Sequence, residues 1–224
     1  MQRTLNAEKN SPPIKSGVVY IVDDDEAIRD SLALLLNANG FRVSCHENAE
    51  RFLKALSSID QDSLCCALLD IQLGGISGVE LHDTLLKMNV LIPVAFITGY
   101  GEINSAVSAF KKGAVDFIQK PIKEDLLCDL VSVMLSKAYL DKEQRLELEQ
   151  INEKFSLLTS RELQVLERIM TGRINKEVGH DLGISVKTVE AHRAKIMEKL
   201  GVSRPANLLQ AAIKYQEAKA KGLI

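Results

Sequence analysis

The sequence has no tryptophan, and aromatic residues make up only 4% of it, so its cores must be built from Leu, Ile, Val and Ala. No apolar run approaches the roughly 20 residues needed to cross a bilayer. The opening stretch, Met1 to Lys15, is polar and lacks the apolar segment of a secretory signal. No membrane attachment is expected, and a cytoplasmic address is. The four cysteines (Cys45, Cys65, Cys66 and Cys128) carry no C-x-x-C spacing and have no histidine paired with them. Adjacent Cys65 and Cys66 sit in an apolar, strand-like run, where a thiol acts as a small hydrophobe. Neither a structural disulfide nor a cysteine metal site is expected, and no glycine-rich phosphate loop is present.

What the sequence does have is length for two domains and an uneven charge. Its 224 residues are 46% hydrophobic and 26% charged, the composition of a globular protein. From Leu157 to Ile224 there are 12 basic and 7 acidic residues, a balance of +5, whereas the remainder holds 16 and 23, a balance of −7. A basic C-terminal third beside an acidic N-terminal part points to a polyanion partner for one half only.

Residues 1–16, with Pro12-Pro13, read as a flexible leader. Apolar runs then alternate with amphipathic segments. Strands are predicted over Val18–Val22, Phe41–Cys45, Cys65–Leu69, Val94–Ile97 and Asp116–Gln119. Helices are predicted over Glu26–Asn37, Ala49–Ser57, Gly78–Met88 and Ile103–Lys112, with a fifth beginning near Lys123. Gly40 stands where a helix-ending glycine should. Strand followed by helix, repeated, is the pattern of an α/β fold, a (βα)5 doubly wound parallel sheet with helices on both faces. The last helix has no Gly or Pro from Glu124 to about Glu153 and becomes mostly charged from Asp141. It reads either as a helix running on into a helical linker or as a solvated helix without a signalling role.

In a doubly wound sheet, ligands sit beyond the carboxyl ends of the strands. Here those ends carry Asp23 and Asp24 after strand one, Asp70 after strand three, Thr98 after strand four, and Lys120-Pro121 after strand five. Carboxylates gathered at one rim repel unless a cation joins them, and hard oxygen ligands suit Mg²⁺. A carboxylate left over can act as a nucleophile and form an acyl phosphate. Lys120 can hold a phosphoryl oxygen as a point charge while Thr98 hydrogen-bonds another. The plainer alternative is that Asp residues at strand ends merely cap the helices that follow.

The stretch Ile21-Val22-Asp23-Asp24-Asp25, the Leu69-Asp70 step, Ile97-Thr98-Gly99 and Gln119-Lys120-Pro121 resemble the receiver domain of two-component response regulators. That resemblance implies that Asp70 is the phosphoacceptor, and that Mg²⁺ is held by Asp23, Asp24, Asp70 and the Gln72 backbone carbonyl. It also implies that Thr98, Phe117 and Lys120 are the switch residues and that Lys120-Pro121 is cis. A phosphoryl group on Asp70 would draw the Thr98 hydroxyl inward, and the ring of Phe117 would follow into the vacated space. The face made by the fourth helix, fifth strand and fifth helix then becomes competent to dimerise. Taken without the resemblance, Phe117 reads first as plain core. One departure stands out: receivers commonly carry Met-Pro after the phosphoacceptor, and this loop reads Gln72-Leu73-Gly74-Gly75, a looser connection that leaves every chemical group in place.

From Leu158 onward the pattern becomes short helices. Thr159 with Glu162 three residues later is a capping box, and Leu163, Leu166, Ile169 and Met170 follow at helical spacing. Asn175–Leu182, the turn Gly183-Ile184-Ser185 and Val186–Leu200 spell helix, tight turn, helix, with Ser185 as N-cap. Val189, Ile196 and Leu200 hold the second helix to its core, which leaves Lys187, Thr188, Glu190, Arg193 and Lys195 on its open face and flanks. The basic residues can neutralise phosphates. Glu190 pairs with Arg193 or Lys187 at helical spacing, or accepts from a cytosine amino group. His192 is read as packed or phosphate-touching rather than as a metal ligand.

Leu158-Thr159-Ser160-Arg161-Glu162, Asn175-Lys176-Glu177 and Thr188-Val189-Glu190-Ala191-His192-Arg193 resemble the LuxR-type helix-turn-helix. With the receiver, the chain resembles the FixJ branch of response regulators. The resemblance implies a receiver over residues 17–132, a helical linker over 133–154 and an all-α, four-helix DNA-binding domain over 155–224. It also implies a sensor histidine kinase as phosphoryl donor and a homodimer reading a two-fold site on double-stranded DNA, with Asn175, Lys176 and His192 joining the contact set. Two rival readings remain. A phosphotransferase or phosphatase with an Asp nucleophile would carry a second acid at position 72, where this chain has Gln. Alternatively, the receiver serves only to dimerise a DNA-binding protein, without phosphorylation.

Overall fold

The structure, a computed structural model, describes residues 17–57, 63–99 and 113–224. The expected leader and the expected helix Ile103–Lys112 lie outside those residues. The elements are β1 (Val18–Val22), α1 (Glu26–Ala38), β2 (Arg42–His46), α2 (Ala49–Leu56), β3 (Cys65–Asp70), α3 (Gly78–Lys87), β4 (Val94–Thr98) and β5 (Asp116–Gln119). They continue with α4 (Glu124–Ser156), α5 (Ser160–Met170), α6 (Asn175–Leu182), α7 (Val186–Leu200) and α8 (Pro205–Ala220). β2 begins and ends one residue later than its sequence pattern predicts, and both β3 and β4 extend to include their polar last residues, Asp70 and Thr98.

All strand pairs are parallel, in the order β2-β1-β3-β4-β5. A parallel sheet covered on both sides needs strands that are apolar on both faces, and all six residues of β3 are buried. One face packs Leu69 and Phe96 against Phe52 of α2 and Leu81 and Leu85 of α3. The other packs Ile21, Leu68 and Ile97 against Leu32 and Leu36 of α1 and Leu127, Val131, Met134 and Leu135 of α4. The strand order reverses between β1 and β3, so their carboxyl ends open a crevice. Asp23 follows β1 and Asp70 closes β3.

The chain divides into two compact units between Lys142 and Glu143, within the single helix α4. The second unit surrounds Val165, Leu166, Val178, Val189, Ile196 and Leu208. The last turns of α4 belong to this core: Ile151 and Phe155 pack into it, and the Phe155 ring stacks on Tyr215 with centroids 4.1 Å apart. Gly183 ends α6 at φ 64°, a left-handed backbone that glycine adopts without strain, and so the chain turns sharply into α7. Among the described residues, no helix is long and apolar enough to cross a membrane.

Candidate functional site

Three adjacent aspartates follow β1, and the structure gives them different work. Asp25 is the cap of α1, its carboxylate accepting from the N–H groups of Ala27 and Ile28. Asp23 is buried, accepts from the Asp25 N–H at 2.9 Å and faces the crevice, while Asp24 stands exposed at its rim. Asp70 does not cap α3, because Ser77 and Glu80 already form a capping box there. Helix capping therefore accounts for Asp25 alone.

Lys120, just beyond β5, reaches across the crevice and donates to both buried carboxylates, 2.6 Å to Asp70 Oδ1 and 2.9 Å to Asp23 Oδ2. The second Asp70 oxygen accepts from the Gln72 N–H at 2.7 Å. Burial pushes the Asp70 carboxyl up from its usual value and the Asp23 charge adds to this, while Lys120 and the Gln72 N–H pull it down; the net direction is up. Burial works to lower the Lys120 ammonium, but its hydrogen bonds to the two carboxylates outweigh that, so it stands above the usual lysine value. The cation that the clustered carboxylates need is therefore already present as a side chain.

Among the described residues, no group of three His, Cys, Asp or Glu side chains is arranged to hold a metal ion. Mg²⁺ requires no such cage, since it keeps several waters and takes one or two carboxylates. Asp23 and Asp70, close enough to share one ammonium, are an oxygen donor pair of that kind. The loop after β3 runs close to the third aspartate: a Cβ at Gly74 would stand in van der Waals contact with Asp24 Oδ2, at 3.4 Å.

Thr98 is buried and its hydroxyl donates to the Gly99 carbonyl at 2.9 Å, away from Asp70. The Lys120 N–H donates to the Thr98 carbonyl at 2.8 Å, which ties the ends of β4 and β5. The reading of Phe117 as core does not hold, because its side chain is 42% exposed and Ile118 takes the inward position of this short edge strand. The Lys120-Pro121 peptide is cis. Gly78 opens α3 against the phosphoacceptor strand, where an added Cβ would lie 2.1 Å from the Asp70 carbonyl oxygen. Gly78→Ala is expected to cost about 2 kcal/mol or more in urea denaturation and to displace Asp70. An unchanged midpoint would contradict this packing.

In the second unit, Lys176, Lys187, Thr188, Glu190 and Lys195 are exposed, and Asn175, His192 and Arg193 are half-buried. Ser185 caps α7, accepting from the Thr188 N–H at 3.1 Å and sharing a 2.8 Å hydrogen bond with the Thr188 hydroxyl. The expected Glu190–Arg193 pairing is corrected: the Arg193 guanidinium turns instead to Asn175 Oδ1, 3.3 Å away on α6. Among the described residues, Glu190 forms no ion pair with Lys187 or Arg193, so its carboxylate faces solvent beside the basic residues.

Sequence reasoning missed the supports of this unit. Arg161 donates to the Leu182 carbonyl at the end of α6. Lys199 of α7 reaches the buried Glu162 of α5 at 2.7 Å and the Leu157 carbonyl at 3.0 Å. Glu162 also closes the Thr159 capping box, and that box was the only sequence signal for its burial.

Two protein-family models match the chain. Residues 19–132 match the response regulator receiver domain, and residues 156–212 match bacterial regulatory proteins of the luxR family. The transcriptional regulatory protein FixJ of Rhizobium meliloti (strain 1021) is 37% identical over 198 residues, covering 87% of this chain and 94% of that protein. The response regulator protein TmoT of Ectopseudomonas mendocina is 34% identical over 204 residues, covering 91% of each. A solved structure of the response regulator StyR matches with a TM-score of 0.80 at 37% identity, covering 89% of this chain and all of that one. Full-length FixJ from B. japonicum matches with a TM-score of 0.56 at 32% identity, over 91% of this chain and 98% of that one. The chain belongs to the response regulators that join a receiver domain to a LuxR-type DNA-binding domain. It is a transcription regulator of the two-component kind, not a turnover enzyme. The receiver implies a histidine kinase partner, and the C-terminal domain implies DNA.

Proposed function

We propose that Asp70 accepts a phosphoryl group from the phosphohistidine of a sensor kinase, and that the phosphorylated chain dimerises and binds promoter DNA. The observation that carries this reading is the Asp23–Lys120–Asp70 arrangement at the strand-order reversal. An Asp70 oxygen attacks phosphorus, the P–N bond to the kinase imidazole breaks, and that imidazole keeps the electron pair and takes a proton. Asp23, Asp24, Asp70 and the Gln72 carbonyl would hold Mg²⁺, which would supply neutralisation of the phosphoryl oxygens. Lys120 holds one of those oxygens, and the Thr98 hydroxyl leaves the Gly99 carbonyl for another. Phe117, now exposed, turns into the space that Thr98 vacates. Slow attack by water on the acyl phosphate resets the site.

The receiver spans residues 17–132 behind a leader of residues 1–16, residues 133–154 form the linker, and residues 155–224 bind DNA. Helix α7 enters the major groove, with Lys176, Lys187, Arg193 and Lys195 neutralising phosphates. Asn175, Thr188, Glu190 and His192 complete the contact surface. The phosphoryl donor and the DNA target place this activity in the cytoplasm. Incubation with a small acyl phosphate and Mg²⁺ tests the reading: intact mass should rise by one phosphoryl group, and DNA binding should tighten with it. No mass gain would overturn it. Lys195→Ala is expected to weaken binding across all sequences and to reduce the slope of log K against log salt by about 1. A loss confined to one sequence would instead mark Lys195 as a base reader.

A further inference from the structure

Helix α4 carries two apolar stripes where packing within one chain needs only one. Leu127, Val131, Met134 and Leu135 are fully buried against the sheet. Leu126, Val133 and Leu140 repeat every seven residues along another side and are 56%, 58% and 64% exposed. Leu130 lies between the first two of them and is half-buried because it also packs on the sheet-side core, and the series Leu126, Leu130, Val133, Lys137, Leu140, Gln144 alternates steps of four and three. Such a series keeps facing one direction only when the helix supercoils around a similar helix, because a straight helix drifts by about 20° per heptad.

We propose that this seam pairs with the same seam of a second copy of the chain, in parallel, as a short two-stranded coiled coil. The proposal rests on the dimer reading above and gives that dimer its contact. Three features single out a second copy as the occupant. Parallel pairing about a two-fold axis sets each residue opposite itself, so an evenly spaced apolar stripe is its own complement. A lysine at one core position, here Lys137, favours a particular register and strand number at some expense of stability. Asp141 pairs with the Lys137 ammonium at 3.0 Å, so each copy brings its own counter-charge to that position. A helix-turn-helix reading a two-fold site also requires two copies.

The test uses the full chain with Cys45→Ser, since Cys45 is the exposed native thiol. Leu126→Cys and Leu140→Cys are each oxidised with acyl phosphate, Mg²⁺ and DNA present, with Tyr139→Cys as the off-seam control. Intermolecular disulfides at both 126 and 140 but not at 139 support the parallel seam. Crosslinking only in a mixture of the two variants would mean antiparallel pairing and overturn it. Light scattering that shows an acyl-phosphate-dependent dimer, with no crosslink at either site, overturns the seam and leaves the dimer reading standing. A mass gain without any dimer overturns both. Lys137→Leu should tighten association about tenfold or more without acyl phosphate, and Leu140→Asp should weaken it by a similar factor. Neither change touches the buried stripe, so far-UV circular dichroism should stay unaltered. If neither moves the association constant, the seam is not the contact.

Discussion

Asp70→Asn is expected to abolish phosphoryl incorporation, not merely slow it, and with it every effect of acyl phosphate on DNA binding. An amide of the same shape has no anionic oxygen to attack phosphorus. The fold should survive, because the amide oxygen still accepts from the Gln72 N–H and Lys120 keeps Asp23 as a partner at 2.9 Å. Burial works against the Asp70 charge while Lys120 and the Gln72 N–H work for it, so neutralising it removes a cost and a benefit together. Stability at pH 7 should therefore change by less than about 1 kcal/mol in either direction. Lys120→Ala is the contrasting variant: it leaves two buried carboxylates facing each other and should cost about 2 kcal/mol. Intact mass after incubation with acyl phosphate and Mg²⁺ reads the first effect, and urea denaturation reads both. Undiminished incorporation in the Asp70→Asn chain would move the nucleophile to Asp23 or Asp24.

The pocket was legible because each polar residue stands where an apolar run stops, and in a parallel sheet those stops share one rim. What spacing could not supply was the division of labour within the rim. Asp23, Asp24 and Asp25 are chemically alike and all precede α1, so only the path of the backbone decides that Asp25 caps while Asp23 turns inward. The reading of Phe117 as core fails for a related reason. A strand of four residues at the sheet edge carries too little alternation to say which side chains face in, and Ile118 occupies the core. In the second unit, helical spacing offered Arg193 the neighbouring Glu190, yet the guanidinium pairs with Asn175 on another helix. Local spacing says which partners are possible; which one forms is settled by how α6 packs on α7.

The same limit hid the contact expected to matter most for the DNA-binding unit. Glu162 and Lys199 lie 37 residues apart, on α5 and α7, and nothing periodic links them. Glu162 is only 3% exposed, and Lys199 together with the Thr159 N–H holds its carboxyl well below the usual range, down to about 2. Lys199→Met removes the cation but leaves the buried charge, along with a Leu157 carbonyl that loses its donor. Breaking a fully buried pair costs about 3–5 kcal/mol, and since the Lys199 side chain keeps 32% exposure we expect about 2 kcal/mol here. Glu162→Gln, which keeps an acceptor for Lys199 and for the Thr159 N–H, should cost about 1 kcal/mol. The double variant should cost less than the sum of the two, because each single change breaks the same pair. The pH dependence has a definite sign. A carboxylate with a depressed folded-state pKa adds stability that is fully present above its usual value of 4.5 and is lost as pH falls from there toward 2. The acid-side loss in the second unit should therefore be steeper in the native chain than in Lys199→Met, as followed by urea denaturation between pH 7 and pH 3. Because Lys199 ends the helix that carries Lys187, Arg193 and Lys195, the same substitution should also weaken DNA binding without altering phosphoryl incorporation at Asp70. A Lys199→Met chain with native stability and native DNA affinity would show that the pair neither braces the unit nor positions its recognition helix.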